Sequence, residues 1–390
     1  MTGPHEILTR RRALASFGVL AGLAGAGCAS SNATTPGVIV RPQPGKVLWR
    51  SRPLVDGQSV LGMVSAGGIV CVGDGFGNVY GLNAATGTTL WRRTFRDNSS
   101  GYLPLAAAGG RVFAVGSGRV AALSALTGAQ LWSVPAAGVE PSFPPQLPTY
   151  FVVYANGVVC VLGADGSATG LDPPTGRTIW RSAQSGFGAG AAADSGVLYL
   201  AETTGGAVAL DVQTGRQRWW AASTPSVAST LLVLDSVVAG TPTASPSYTA
   251  GPYTFALDKA TGRLLWQANF DTQTYSRIAG QGDQVYVDVD LMTRTSTAGV
   301  AIYALAARSG RTLWRRAFPG QAIGGTIVAI GGLVYGIYPD GALRALSPAT
   351  GAVLWARTNL GFVTSVTPGP QVIYVTTAGP PEDTIYAIGQ

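Results

Sequence analysis

One phrase of eleven residues recurs along the chain and always closes on tryptophan. It reads GLNAATGTTLW to Trp91, ALSALTGAQLW to Trp132, GLDPPTGRTIW to Trp180 and ALDVQTGRQRW to Trp219. It continues as ALDKATGRLLW to Trp266, ALAARSGRTLW to Trp314 and ALSPATGAVLW to Trp355. Glycine stands four residues before the tryptophan in every copy, at Gly87, Gly128, Gly176, Gly215, Gly262, Gly310 and Gly351. A lone GKVLW ending at Trp49 keeps that spacing, so eight of nine tryptophans occupy one repeat position and Trp220 sits beside another. Successive tryptophans are 42, 41, 48, 39, 47, 48 and 41 residues apart. A period near 40–50 residues is that of a unit which cannot bury its apolar faces alone and must stack on copies of itself.

Each position has a physical task. Asp, Asn or Ser stands eight residues before tryptophan in six copies, where its side chain can accept hydrogen bonds from the N–H groups of its own turn. Asp172, Asp211 and Asp258 are read as turn caps on this ground, and Ala306 is the exception. The glycine supplies the positive φ of a tight hairpin. The tryptophan offers a broad apolar ring to cover a junction with the neighbouring unit. Eight short apolar runs, such as GGIVCV, NGVVCVL and PQVIYV, precede the phrases and read as strands. Each unit then holds four strands, A to D, with the phrase forming C, the turn and D.

The two ends complement each other. Asp383–Gln390 resembles a strand C with no D after it, and Gly45–Ser51 a strand D with no C before it. Pairing them makes an eighth unit and closes the array into a ring without a free edge. The expected fold is an all-β, eight-bladed propeller over 45–390, with four antiparallel strands per blade.

The AxDxxTGxxxW pattern resembles the tryptophan-docking motif of the PQQ-like β-propeller repeat family. Its members include quinoprotein dehydrogenases and non-enzymatic propellers, among them the lipoprotein scaffold of the outer-membrane β-barrel assembly machinery. The resemblance implies a non-catalytic scaffold that binds an envelope protein, with a PQQ-dependent oxidoreductase or a carbohydrate- or polymer-binding propeller as alternatives.

Residues 1–27 read as an export signal. TRRRALA resembles a twin-arginine motif with Arg11 and Arg12 as the pair. The apolar stretch from Ala13 to Gly27 is 15 residues, short of the ~20 that span a bilayer as a helix. LAGAGC resembles a lipobox that makes Cys28 the lipidated residue, although Gly25 stands where leucine is usual. Residues 28–44 then form a flexible tether, and the protein is expected to be held at a membrane, facing the periplasm or the cell exterior.

Composition limits the chemistry. The only histidine is His5, inside the leader, so the folded chain has no imidazole for general-base catalysis or metal binding. The alcohol-dehydrogenase branch of the family is marked by an adjacent Cys-Cys pair, and Cys71 and Cys160 are far apart; no CxxCH is present either. No cofactor is expected, PQQ being the one that the resemblance leaves open. Without the leader the net charge is about +5, with no basic run longer than Arg-Arg after Arg12, so no nucleic-acid footprint is visible. A monomer is expected. Asp288 with Asp290, and Glu382 with Asp383, are read as solvated loop carboxylates rather than metal ligands.

Strand parity places the short C–D turns at one end of the propeller and the B–C and D–A connections at the other. The long segments 134–150, 240–254, 290–299 and 376–384 all fall at the second end. Long loops on a rigid scaffold commonly carry binding. The candidate interaction residues there are Phe143, Tyr150, Tyr248, Tyr253 and Arg294.

Overall fold

The computed structural model describes residues 43–54, 59–95, 103–116, 118–135, 151–163, 166–182, 187–194, 196–202, 206–221, 228–242, 253–270, 276–292, 297–320, 327–338, 340–379 and 383–390. The described chain forms eight four-stranded antiparallel sheets, each in the order A-B-C-D, and these are the blades of an eight-bladed propeller. The innermost strands A of successive blades contact one another around the axis. Blade eight takes Phe362–Gly369, Val372–Ala378 and Thr384–Gly389 as A, B and C, and Val47–Ser51 as D. Val47 pairs with Ile388 and Arg50 with Tyr386, so the ring closes through both ends of the fold.

The repeated turn has one geometry. The seven glycines have φ between 67° and 74°, and each N–H donates at 2.8 Å to the carbonyl four residues earlier. The cap side chains behave as their chemistry requires. Asn83 Oδ1 accepts from the N–H groups of Ala85 and Thr86, and Asp258 Oδ1 from those of Ala260 and Thr261. The Thr261 hydroxyl, with these N–H groups, holds the Asp258 carboxyl below the usual carboxylate range. The closing blade rebuilds the turn from two separate segments, with Gly45 N–H donating to Gly389 O at 2.8 Å.

Each tryptophan docks on the turn of the next blade. The indole N–H of Trp49 reaches Ala84 O at 2.9 Å, Trp91 reaches Ala125 O at 2.9 Å, and Trp180 reaches Val212 O at 2.6 Å. Trp132, Trp219, Trp266 and Trp314 make the same bond, to Pro173, Lys259, Ala307 and Pro348. The ring lies flat on the turn glycine. A Cβ on Gly215 would come within 2.5 Å of the Trp180 ring, and one on Gly87 within 2.5 Å of Trp49. Trp355 lies against Gly45, where a Cβ would come within 3.0 Å of its ring, and its buried Nε1 has no partner among the described residues. The seam between the ends thus keeps the stacking contact.

A second regularity is a bulge. The C–D register shifts one residue before the tryptophan in all eight blades. The extra residue bends the outer strand and strengthens its twist. Eight apolar clusters of strand A, B and C side chains fill the spaces between blades. Cys71 and Cys160 lie in two different clusters as free thiols, each pushed up to about 12 by burial.

Gly215→Ala is expected to cost about 3 kcal/mol, because it adds left-handed backbone strain to an overlap with Trp180. Trp180→Phe, which keeps the ring and removes the donor, is expected to cost about 1 kcal/mol. Denaturant unfolding of the two variants checks this; equal costs would mean that close packing on the glycine is not the main constraint.

Candidate functional site

The end that carries the B–C and D–A connections is chemically distinct from the other. The buried polar residues are Asp74, Asn78, Ser167, Thr241, Thr254, Asp288, Thr376, Thr377, Asp383 and Thr384. Every one lies in the second half of a strand B, at the start of a strand C, or in the link between them. Burying such groups costs free energy unless partners replace water.

In blades one and eight the partners are present. Asp74 accepts from Phe76 N–H at 2.9 Å, Asn78 N–H at 2.8 Å, Asn78 Nδ2 at 2.7 Å and Tyr80 OH at 3.0 Å. Asp383 Oδ2 accepts from Val60 N–H at 2.8 Å and so ties blade eight to the first strand of blade one. Its burial, 5% exposed, corrects the reading of Asp383 as a solvated loop carboxylate; it is a brace between blades. Glu382 lies outside the described residues.

Blades five to seven are different. Thr241 and Thr254 Oγ1, Arg277 Nη1, Asp288 and Asp290 Oδ1 and Tyr338 OH are buried atoms without a hydrogen-bond partner among the described residues. The register explains how those of blade six come together. Arg277 pairs with Asp288, Asp288 with Ile302 and Ile302 with Arg316, so one row across the blade carries these four side chains on the same side. The next row carries Asp290, Val300 and Phe318. Tyr338, from blade seven, packs tilted against Phe318 with ring centroids 4.0 Å apart. The Arg344 guanidinium lies 4.8 Å from the Tyr338 ring and is paired with Asp340. Gly336 leaves room for this, since a Cβ there would meet the Tyr338 hydroxyl at 2.8 Å.

Asp288 is 2% exposed, and its one ion pair, with Arg277, spans 3.7 Å. Burial pushes its carboxyl up to about 7 against the pull of Arg277, with Asp290 adding to the rise. Burial likewise raises Asp290. Asp288 is therefore not a solvated loop group. The strands of blade six run further than the sequence suggests, through Gln284–Met292 and Thr297–Ala306, and their extension carries the acidic pair inside. Two aspartates on one side of an otherwise apolar run were the visible signal; Arg277 and Tyr338 had none.

Tyr253 also differs from expectation. It opens strand C of blade five, is 2% exposed and packs 6.4 Å from Phe255, so its ring belongs to the core and not to an interaction face. Phe143, Tyr150, Tyr248 and Arg294 lie outside the described residues, as do Arg11, Arg12 and Cys28.

The axis gives a test for a quinone. PQQ carries three carboxylates, which call for several cationic or N–H donors. The eight strands A present one arginine, Arg277, already facing Asp288, and neither lysine nor histidine. No group of three or more His, Cys, Asp or Glu able to hold a metal occurs among the described residues. The described inner wall does not fit a tricarboxylate quinone.

Fold and site together define an eight-bladed propeller of the tryptophan-docked class, with its variable chemistry on one face. The chain belongs to the PQQ_2 family, described as outer membrane protein assembly factor BamB, which it matches over residues 37–163, 164–250 and 253–389. A comparison with curated protein sequences gives no match. Among solved structures, BamB from Moraxella catarrhalis is 20% identical with a TM-score of 0.64, over 89% of this chain and 100% of that one. The computationally designed Ika8 protein is 17% identical with a TM-score of 0.65, over 88% and 100%. Quinohemoprotein alcohol dehydrogenase ADHIIG from Pseudomonas putida HK5 is 16% identical with a TM-score of 0.63, over 91% and 78%. At these identities the likeness is one of fold.

The raised Asp288 carboxyl has a consequence for stability. The folded state binds its proton more tightly than the unfolded chain does. The stabilising contribution is complete below the ordinary carboxylate value and is lost as pH rises through about 7. Between pH ~4 and ~7 the protein is expected to lose about 1.4 kcal/mol per pH unit through this group and to level off above that, and Asp288→Asn to flatten that slope. Urea midpoints across pH for both proteins check it; parallel slopes would show that Asp288 does not titrate there.

Proposed function

We propose that the protein is an exported, lipid-anchored, non-catalytic propeller that serves as a protein-binding scaffold in the cell envelope. Membership of the BamB family is the observation that carries this reading. Arg11 and Arg12 would direct export, Cys28 would carry the lipid, and 28–44 would tether the propeller at the membrane, facing the periplasm or the cell exterior. The partner is an envelope protein, bound on the face that holds the B–C and D–A connections. The long connections gathered at that end support this choice of face, since loops on a rigid scaffold commonly carry binding. The likeness to quinoprotein dehydrogenases supports an oxidoreductase less well, because the described axial lining offers so few donors.

Crosslinking in intact cells, followed by capture through a C-terminal tag and mass spectrometry, tests the scaffold reading. One dominant membrane-linked partner is expected, depleted in Cys28→Ala; an absence of any enriched protein would contradict it. Joint replacement of Tyr248 and Arg294 by alanine is expected to weaken capture at least about tenfold without lowering Tm, as loss of two anchoring side chains should. Undiminished capture would move the partner to another surface.

A further inference from the structure

The outermost strands carry a charge pattern that neither the repeat nor the loop face requires. Across the eight strands D there is no aspartate or glutamate and there are eight arginines. Six of these fall on four consecutive blades, six, seven, eight and one: Arg315, Arg316, Arg357, Arg50, Arg92 and Arg93. All six are exposed. The other half of the rim has only Arg181 and Arg218, and Arg218 is neutralised by Asp211 at 2.6 Å.

No carboxylate pairs with any of the six among the described residues. Their hydrogen bonds go to neutral acceptors: Arg92 to Asn78 Oδ1 at 3.1 Å, Arg93 to Gly128 O at 3.0 Å, Arg315 to Tyr303 OH at 3.0 Å, and Arg357 to Gly45 O. The guanidinium groups are positioned and their charge is left uncompensated.

Charge on an edge strand can guard it against pairing with another chain. That does not account for this sector. The D strands of blades two and five, QLWSVP and LLWQAN, carry no charge at all, while the bulge that disrupts edge pairing is present in all eight. These four blades expose an apolar bulge residue beside the arginines, Leu313 at 37%, Leu354 at 55%, Leu48 at 42% and Leu90 at 49%; blades two and three expose Leu131 and Ile179 at the same position, with a single arginine between them. A row of leucines interleaved with cations suits the boundary between lipid headgroups and acyl chains. It suits a nucleic acid poorly, because the wall is the outside of a ring with no groove, and Trp220, the exposed tryptophan, lies on blade four, opposite.

We infer that the rim of blades six, seven, eight and one docks on anionic lipid headgroups, so that the propeller lies side-on to a membrane with its loop face free. The described chain begins at residue 43 and runs into Val47–Ser51, the outer strand of blade eight, within this sector. A lipid on Cys28 would then pull this wall towards the bilayer; that clause rests on the proposed function, whereas the charge pattern does not.

Co-sedimentation with vesicles separates the two. The full chain carrying Cys28→Ala, and hence no acyl group, is mixed with vesicles of phosphatidylcholine alone or with equal parts of phosphatidylglycerol. Binding is expected to favour the anionic vesicles and to fall as salt is raised. Joint Arg50→Gln, Arg92→Gln, Arg315→Gln and Arg316→Gln should weaken it at least about tenfold, given the contribution of each cation near a charged surface. Arg119→Gln with Arg181→Gln, on the opposite half, should change it less than about twofold, and all variants should keep the parental Tm. Equal binding to both vesicle types, or an unaltered quadruple variant, overturns the assignment. Binding to a DNA duplex without binding to anionic vesicles overturns it as well. A failure here would leave partner capture by the loop face untouched.

Discussion

The contact between an indole ring and a backbone glycine in the next blade governs the architecture. Stacking brings the ring so close that no side chain fits at the glycine, and the indole N–H then finds the carbonyl just past the cap residue of the same turn. One residue so joins three requirements: a left-handed turn, a flat floor and an acceptor at fixed distance. Each blade carries both halves of the contact, tryptophan for the blade ahead and turn for the blade behind. Repetition propagates the geometry around the ring, and the apolar clusters between blades complete it. The bulge before each tryptophan belongs to the same unit, since it offsets the C–D register where strand D presents the ring.

A ring built this way has one seam, where its two ends meet. The turn of blade eight comes from segments more than three hundred residues apart, and it reproduces the N–H to carbonyl bonds of the continuous turns through Gly45 and Gly389. Trp355 still stacks there, and its indole N–H has no partner among the described residues. The Arg357 side chain reaches across the same seam to Gly45 O, and Asp383 fixes the first strand of blade one through Val60. Polar side chains thus tie the joint where the two ends meet.

The blade count, the strand order, the closing pair and the docking role of tryptophan were legible because they depend on local spacing repeated many times. The glycine was legible as a turn former, but its stricter role as the floor under the ring was not, since that contact joins positions about forty residues apart. The register shift at the bulge leaves no mark in the residue pattern beyond an apolar letter before tryptophan. Blade six misled because its strands are longer than those of its neighbours: a segment taken as loop continues as strand, and Asp288 goes inside with it. Tyr253 misled for the same reason in blade five, where strand C begins at the residue read as the end of a loop. Loop boundaries are set by pairing with distant strands, and pairing is not written in the segment itself.

The three surfaces of the ring divide its chemistry. The C–D turn face spends its carboxylates on backbone N–H groups, as Asp211 and Asp258 do, and has few acceptors left to offer a partner. The outer wall of blades six, seven, eight and one holds arginines that meet no carboxylate among the described residues. The opposite face buries polar groups and in blades five to seven leaves several of their atoms unpaired. Docking does not depend on the chemistry of any of these surfaces, because the tryptophans reach only backbone and glycine. That independence is what allows one rigid ring to vary its loop face and its rim separately. A protein partner on one and a charged surface on the other can be bound at once, since the two lie at right angles around the same core.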